Sequence, residues 1–335
     1  MTTADAGAFV CPRCRSLVEP AGGGYRCSPC RQNFPILFGI PDFRLRGDQY
    51  LSIEDERAKA GRLHDYAQGH DFASLVEYYY SITDDVPDSL AAMFAAYVLN
   101  GQARSAQSLK ALAPDGGRAL LDLGCGSGGA LIAGEASFEE RTGVDIALRW
   151  LVIAQARLRE ARVNATLVCA DAEALPFADN SFSHVLANDL LENTKSPMAV
   201  VACAAAVLDS GGRLYVASSN RWWIGPHPAT GVWAAGFLPP RFRAALSERK
   251  HAVDVLRAVS FVSPVSVARM ARAAELCRLS AGPFVPEKGQ LRRRPILFRA
   301  FAAGYSMLAR VPVVRQAMLV AGPMFQTLFV KESAE

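Results

Sequence analysis

Leu120-Leu-Asp-Leu-Gly-Cys-Gly-Ser-Gly-Gly129 decides the fold. The apolar run Ala119–Leu123 ends in a glycine-rich turn, the pattern of a buried strand that bends sharply into a helix. Gly124, Gly126 and Gly128 or Gly129 let the backbone pass close to a ligand, and the helix that follows presents unpaired N–H groups at its start.

Strand and helix signals alternate around this turn. Arg141–Ile146, Ala165–Cys169, Phe182–Ala187 and Arg213–Ser218 read as strands, and Leu148–Ala161 and Met198–Leu208 as helices. Such alternation predicts a Rossmann-like α/β fold, a parallel sheet with helices on both faces. Upstream, a charged helical pattern begins at Ser52 with Glu54, Asp55 and Glu56 in its first turn, and runs to about residue 112 with breaks near Asp84–Pro87 and Asn100-Gly101. Downstream, Asn220–Pro240 is rich in Trp, Gly and Pro and reads as an ordered loop. A helix over Pro264–Leu276, two apolar helices with interspersed arginines over 295–310 and 312–321, and a strand near Met324–Val330 complete the chain. The expected organisation is a small module at 8–46, a helical linker or cap at 47–112, and the main domain at 113–335 carrying a C-terminal helical insertion.

Before the helices stand two C-x-x-C pairs, Cys11/Cys14 and Cys27/Cys30, separated by twelve residues that include Gly22-Gly23-Gly24. Each pair can present two sulfurs to one ion, and four thiolates close a tetrahedral zinc shell. A closed shell has no open position for a substrate, so the expected metal is structural Zn2+, and a unit this small needs it to fold. The start of the chain lacks the basic and apolar regions of a signal peptide, and no window reaches about 18 uncharged apolar residues. The expected location is cytoplasmic, with the remaining Cys125, Cys169, Cys203 and Cys277 as free thiols.

Net charge is +4 over 335 residues, but it is unevenly spread. Residues 1–240 hold 20 Lys+Arg against 26 Asp+Glu, whereas residues 241–335 hold 16 against 6. A basic C-terminal third suggests an anionic partner, and the arginine-flanked helices of 296–321 suit peripheral contact with an anionic membrane.

Taken alone, Gly124-x-Gly126-x-x-Gly129 with Asp145 also fits a dinucleotide fingerprint. Asp122 before the first glycine, Asp171 after the third strand, and Leu175-Pro176-Phe177 leading into a strand that ends at Asn188-Asp189 favour another reading. Leu121-Asp-Leu-Gly-Cys-Gly-Ser-Gly128 as the glycine segment, Gly143-Val-Asp145, Ala170-Asp-Ala-Glu-Ala-Leu-Pro-Phe177 and Gly211-Gly-Arg-Leu214 resemble, in order, the motifs of class I S-adenosylmethionine-dependent methyltransferases. The cysteine module, with Phe34-Pro-Ile and Gly39-Ile-Pro41, is similar to zinc ribbons attached to some of these enzymes and to a ribbon subunit that activates tRNA methyltransferases. The resemblance implies that Asp122, Gly124 and Gly126, with Cys125 and Gly128, hold the methionine part of S-adenosylmethionine. It implies that Asp145, with Ile146, binds the ribose, that Asp171, with Ala172, takes the adenine amine, and that Asn188 lies at the rim near the transferred methyl. The chain departs from the family at Phe182-Ser-His184 and at Leu191-Glu192-Asn193, where a Leu-Glu-His is common.

The expected activity is methyl transfer to an oxygen or nitrogen of a small-molecule or lipid-linked acceptor. Trp222, Trp223, His227, Trp233 and Phe237 would wall an apolar acceptor pocket, with His227 as the candidate base because imidazole titrates near neutrality. Tyr78, Tyr79 and Tyr80 read as core packing of the preceding helices. Three alternatives stand beside this. One is RNA methylation, with Arg13, Arg15, Arg26 and Arg31 of the ribbon on phosphates. The others are a non-catalytic cofactor-binding protein and a hydride-transfer enzyme.

Overall fold

The computed structural model describes residues 9–48, 51–83, 88–227, 232–239, 241–242, 260–287, 290 and 296–332. Backbone contacts divide the chain into two compact units, residues 1–184 and 185–335.

The first unit opens with an antiparallel four-stranded sheet, β1 (Glu19–Ala21), β2 (Gly24–Cys27), β3 (Gln32–Leu37) and β4 (Ile40–Pro41), in sequential order. Its core is a knot of rings: Phe43 lies 4.9 Å from Phe9, 5.4 Å from Tyr25 and 5.0 Å from Phe34 between centroids. Four helices follow, α1 (Ile53–Tyr66), α2 (Phe72–Ser81), α3 (Asp88–Leu99) and α4 (Gly101–Leu112). Polar caps set the starts of the first two: the Ser52 hydroxyl accepts from the Asp55 N–H, and the Asp71 carboxylate from that of Ser74.

The main-domain strands in this unit are β5 (Gly117–Leu123), β6 (Phe138–Asp145), β7 (Thr166–Cys169) and the start of β8 (Phe182–Asn188), in the order β8-β5-β6-β7. β5, β6 and β7 pair parallel, with Asp122 opposite Gly143 and Asp145 opposite Cys169. β5 is buried on both faces over Ala119–Leu123 and therefore reads as a nearly continuous apolar run, whereas β6 is buried chiefly at its end, around Gly143 and Val144. The short α5 (Gly129–Ala133) and α6 (Leu148–Ala161) make the crossovers. On one face Leu63 of α1 and Leu75 and Val76 of α2 join Leu148, Leu151, Val152 and Ile153 of α6 in one buried cluster. Tyr79 belongs to the same cluster, with Tyr78 and Tyr80 packed against it, so these aromatics are core.

At the outer edge of β7 the ribbon continues the sheet. Asp42 forms a parallel bridge with Cys169, and the Phe43 N–H donates to the Cys169 carbonyl at 2.7 Å. The Val10 N–H donates to the Pro176 carbonyl, and the Phe9 ring meets Phe177 at 5.9 Å.

The second unit contains the end of β8, α7 (Pro197–Val207), β9 (Leu208–Ser219), α8 (Pro264–Ala273), β10 (Leu276–Pro283), α9 (Ile296–Leu308), α10 (Pro312–Ala321) and β11 (Met324–Lys331). Its strand order is β10-β11-β9-β8, and β11 is antiparallel to both β9 and β10. The sheet pattern is therefore mixed rather than all parallel. The expected helix over Pro264–Leu276 stops at Ala273, because Glu275 takes φ 59 and the chain enters β10, a strand not among those expected. Cys277-Arg-Leu-Ser-Ala-Gly282 alternates apolar and polar residues, a period-two signal that is short and bounded by no turn residue upstream, and its pairing with β11 makes it a strand.

Candidate functional site

The glycine turn lies where β5 passes into α5. Gly124, Gly126 and Gly128 have φ of 72, 48 and 74, conformations that cost residues with a Cβ. The N–H groups of Gly124 and Cys125 donate to the Val144 carbonyl at 2.8 and 3.0 Å, tying the turn to β6. The turn packs so closely there that a Cβ at Gly143 would sit 2.8 Å from the Cys125 sulfur. A Cβ at Gly126, in contrast, would meet nothing within 4 Å, so the turn faces open space on that side.

Asp145, at the end of β6, accepts from the Gly126 N–H on one carboxylate oxygen and from the Ala147 N–H on the other, both at 2.9 Å. Each oxygen keeps a second lone pair for a further donor. Burial raises the Asp145 carboxyl above the ordinary carboxylate range. Asp122 is buried beside it, and burial together with the Asp145 charge pushes it up to about 7. Cys125 and Ala172 are buried, and the Ile146 carbonyl accepts from Arg44 at 3.2 Å. Asp171 accepts from the Glu173 N–H at 3.0 Å and from the Arg46 Nε at 2.6 Å. The structure thus joins the glycine turn to Asp145 by a hydrogen bond, places Asp122 near enough to feel the Asp145 charge, and joins Ile146 and Asp171 to one outer segment.

That segment was absent from the sequence reading. Asp42, Arg44, Arg46 and Asp48 are spaced two residues apart, and all four are ion-paired. Arg46 bridges Asp171 and Glu173 at 2.6 and 2.9 Å. Arg44 and Asp42 form a fully buried pair, which Arg57 joins at 3.1 Å. Burial alone would raise Asp42, but the hydrogen bonds and charge of Arg44, with Arg57, hold it below its usual value. Arg149 of α6 is buried against Asp48 at 2.7 Å and against Glu56, and its N–H donates to Glu56 at 2.8 Å. The two arginines set between two aspartates at every second position of 42–48 were the available signal.

In the ribbon, the ligand atoms of Cys11, Cys14, Cys27 and Cys30 all lie within 4.8 Å of one another, and those of Cys14 and Cys27 are 3.5 Å apart. Tetrahedral zinc with bonds of about 2.3 Å requires sulfur edges of about 3.8 Å, so the set fits that ion. Arg15 and Arg31, directly after each pair, take φ of 65 and 53, which closes both turns. The Ser16 hydroxyl and N–H lower Cys14 to about 6, whereas hydrogen bonding with Cys14 and burial raise Cys30 to about 12. Four crowded sulfurs become thiolates together only with a cation among them. Among the described residues this is the one cluster of metal-type ligands. Arg15 is engaged with Asp179 at 2.6 Å and the Leu175 carbonyl at 2.9 Å, which leaves Arg13, Arg26 and Arg31 of the four basic ribbon residues facing outward.

In the second unit, the Oδ1 of Asn188 is buried and has no hydrogen-bond partner among the described residues. Glu192, given no role from the sequence and adjoining the departure at Asn193, accepts from the Ser218 hydroxyl at 2.6 Å and the Ser219 N–H at 3.1 Å. Burial, with the charge of Asp189, raises it to about 7. His227 is buried with its ring against Phe261, and burial lowers its imidazole below the usual value, keeping it neutral at pH 7. The aromatic wall expected around it is incomplete: Trp233 and Phe237 are 68% and 58% exposed, while Trp222 and Trp223 are half-buried. Their segment is held by a small core of Val232 and Ala235 with Leu238 and Phe261, which leaves the larger rings outside. His184 packs edge-on against Phe138. His251 and Arg292–Arg294 lie outside the described residues.

Residues 121–216 match the family model described as a methyltransferase domain. This segment is a methyltransferase domain. It contains Asp122, the glycine turn, Asp145, Asp171 and Asn188. A ubiquinone biosynthesis O-methyltransferase of Coxiella burnetii (strain RSA 493 / Nine Mile phase I) is 29% identical over 108 residues, covering 31% of this chain and 45% of that protein. A demethylmenaquinone methyltransferase of Renibacterium salmoninarum is 31% identical over 155 residues, covering 43% and 64%. The chain spans about half the length of the relatives it matches. Among solved structures, the cyclase SpnF aligns with 70% of this chain and 81% of its own at 20% identity and a TM-score of 0.48. The methyltransferase domain is thus matched, and the ribbon and the helices after residue 216 lie outside the matched family segment.

Proposed function

We propose that the chain is an S-adenosylmethionine-dependent methyltransferase acting on an oxygen or nitrogen of a small-molecule or lipid-linked acceptor. The observation that carries this reading is the glycine turn anchored to Asp145 and open above Gly126. Asp122, Gly124, Cys125, Gly126 and Gly128 would hold the methionine part, Asp145 and Ile146 the ribose, and Asp171 and Ala172 the adenine. The orphan Asn188 Oδ1 would take a donor from bound ligand. When bound, the cofactor supplies an activated methyl for in-line transfer, a reaction in which positioning contributes much of the acceleration. The neutral His227 is the candidate proton acceptor for a hydroxyl substrate. Zn2+ would be held by Cys11, Cys14, Cys27 and Cys30 in a structural role. The relatives named for ubiquinone and demethylmenaquinone support an apolar aromatic acceptor.

Two measurements test this. S-adenosylhomocysteine should bind to the purified chain with NAD binding absent, and Asp145→Ala should remove that binding. A labelled methyl from S-adenosylmethionine, offered with fractionated small molecules, lipids and RNA, should enter the lipid or small-molecule fraction. Label in RNA would replace the acceptor assignment with the RNA reading.

A further inference from the structure

The most exposed apolar surface of the second unit lies on α9 and α10. The sequence of α10, Pro312-Val-Val-Arg-Gln-Ala-Met-Leu-Val-Ala321, is mostly apolar, yet none of its residues is buried. An amphipathic helix ordinarily turns its apolar stripe to the core. Here the turn between α9 and α10 points aliphatic side chains outward, with Met307 71% and Val313 80% exposed and Leu308 and Val311 also exposed. Arg310 and Arg315 border an open cavity of about 550 Å3 beside Pro312 and Val313. From Lys288 to Lys331 the sequence holds eight Lys or Arg and no Asp or Glu. No helix among the described residues is long and apolar enough to cross a membrane.

We infer that the α9–α10 turn docks onto an anionic phospholipid bilayer. Met307, Leu308, Val311 and Val313 enter the interfacial layer, and Arg310 and Arg315 meet headgroup phosphates. Charge selects this occupant. A face whose fixed charges are all positive, interleaved with aliphatic groups, matches an anionic lipid surface. Pairing the same face with its copy about a two-fold axis would bring these arginines together. A second anchor adjoins the first: the Asn220 amide donates to the Leu319 and Val320 carbonyls at 3.1 and 2.9 Å, fastening the segment that carries exposed Ile224 and Trp233 to the end of α10. Trp at such a position suits the headgroup level. The inference does not depend on which acceptor is methylated.

The test is co-sedimentation of the full chain with vesicles of phosphatidylcholine alone or with about 30 mol% phosphatidylglycerol, a composition that sets the surface charge. Binding to the anionic vesicles should exceed binding to the neutral ones at least ~10-fold and fall as salt screens the arginines. Leu308→Asp with Val313→Asp should lose roughly 10-fold of the anionic binding with an unchanged melting curve, because both positions are exposed. Absence of vesicle binding, or equal binding by wild type and variant, overturns the inference. A wild-type dimer in sedimentation velocity that the variant dissolves would give this face to a second copy instead.

Discussion

The raised Asp122 carboxyl gives cofactor binding a pH dependence of predictable sign. In the free protein, burial and the Asp145 charge push Asp122 up to about 7. If its carboxylate meets the ammonium group of S-adenosylhomocysteine, only the ionised form binds well. Below about 7 the proton must leave first, and each pH unit then costs about 1.4 kcal/mol. Affinity at pH 6 should therefore be roughly 10-fold weaker than at pH 8. The stability of the free protein runs the opposite way. The folded-state value lies above the ordinary 3.8, so the folded state holds the extra proton and loses stability as pH rises from about 3.8 to about 7. The full loss is about 4 kcal/mol for this group alone. The assay is isothermal titration of S-adenosylhomocysteine across this range with wild type and Asp122→Asn, an isostere that cannot ionise. Wild type should show the slope and the variant should be flat. A flat wild-type profile, or an equal slope in the variant, would refute the coupling of Asp122 to the cofactor's ammonium group.

Other outcomes follow from the same geometry. Arg149→Ala leaves Glu56 and Asp48 buried without their partner and should cost about 3–5 kcal/mol in chemical denaturation, whereas Arg15→Ala, at an exposed pair, should cost about 1 kcal/mol or less. Gly143→Ala should destabilise by about 1–3 kcal/mol, because its Cβ would strike the Cys125 sulfur and Leu131, and Cys125→Ala should restore part of that loss. Chelation should yield close to one zinc per chain, lower the melting temperature and weaken S-adenosylhomocysteine binding, because Arg44 and Arg46 reach Ile146 and Asp171 from the segment that follows the ribbon. Arg46→Ala should weaken the same binding several-fold with zinc content unchanged, since Asp171 and Glu173 lose their shared cation.

Local signals made much of this fold legible. The Leu120–Gly129 stretch carries both a strand's apolar run and a turn's glycines, and no competing element could use it. The cysteine spacing likewise brings four sulfurs together without reference to the rest of the chain. What escaped was set by partners far away in sequence. β10 has only a five-residue alternation of its own and is completed as a strand by its neighbour β11, and Glu192 is buried through Ser218 and Ser219. Arg46 became a site residue only when folding placed it beside Asp171, 125 residues on. The aromatic loop misled because Trp and Phe usually seek the interior, and here two of those large rings remain outside.

The bridge between Asp42 and Cys169 also bears on how the chain may be handled. β7 is the last strand on its side of the sheet, and a bare edge offers unpaired N–H and C=O groups to any passing strand. Residues 42–43 occupy that position and close it. Deleting the cysteine module through residue 46 would therefore uncover a template for aggregation as well as remove a metal site. Residues 42–43, although outside the matched segment, act as the sheet's selvedge.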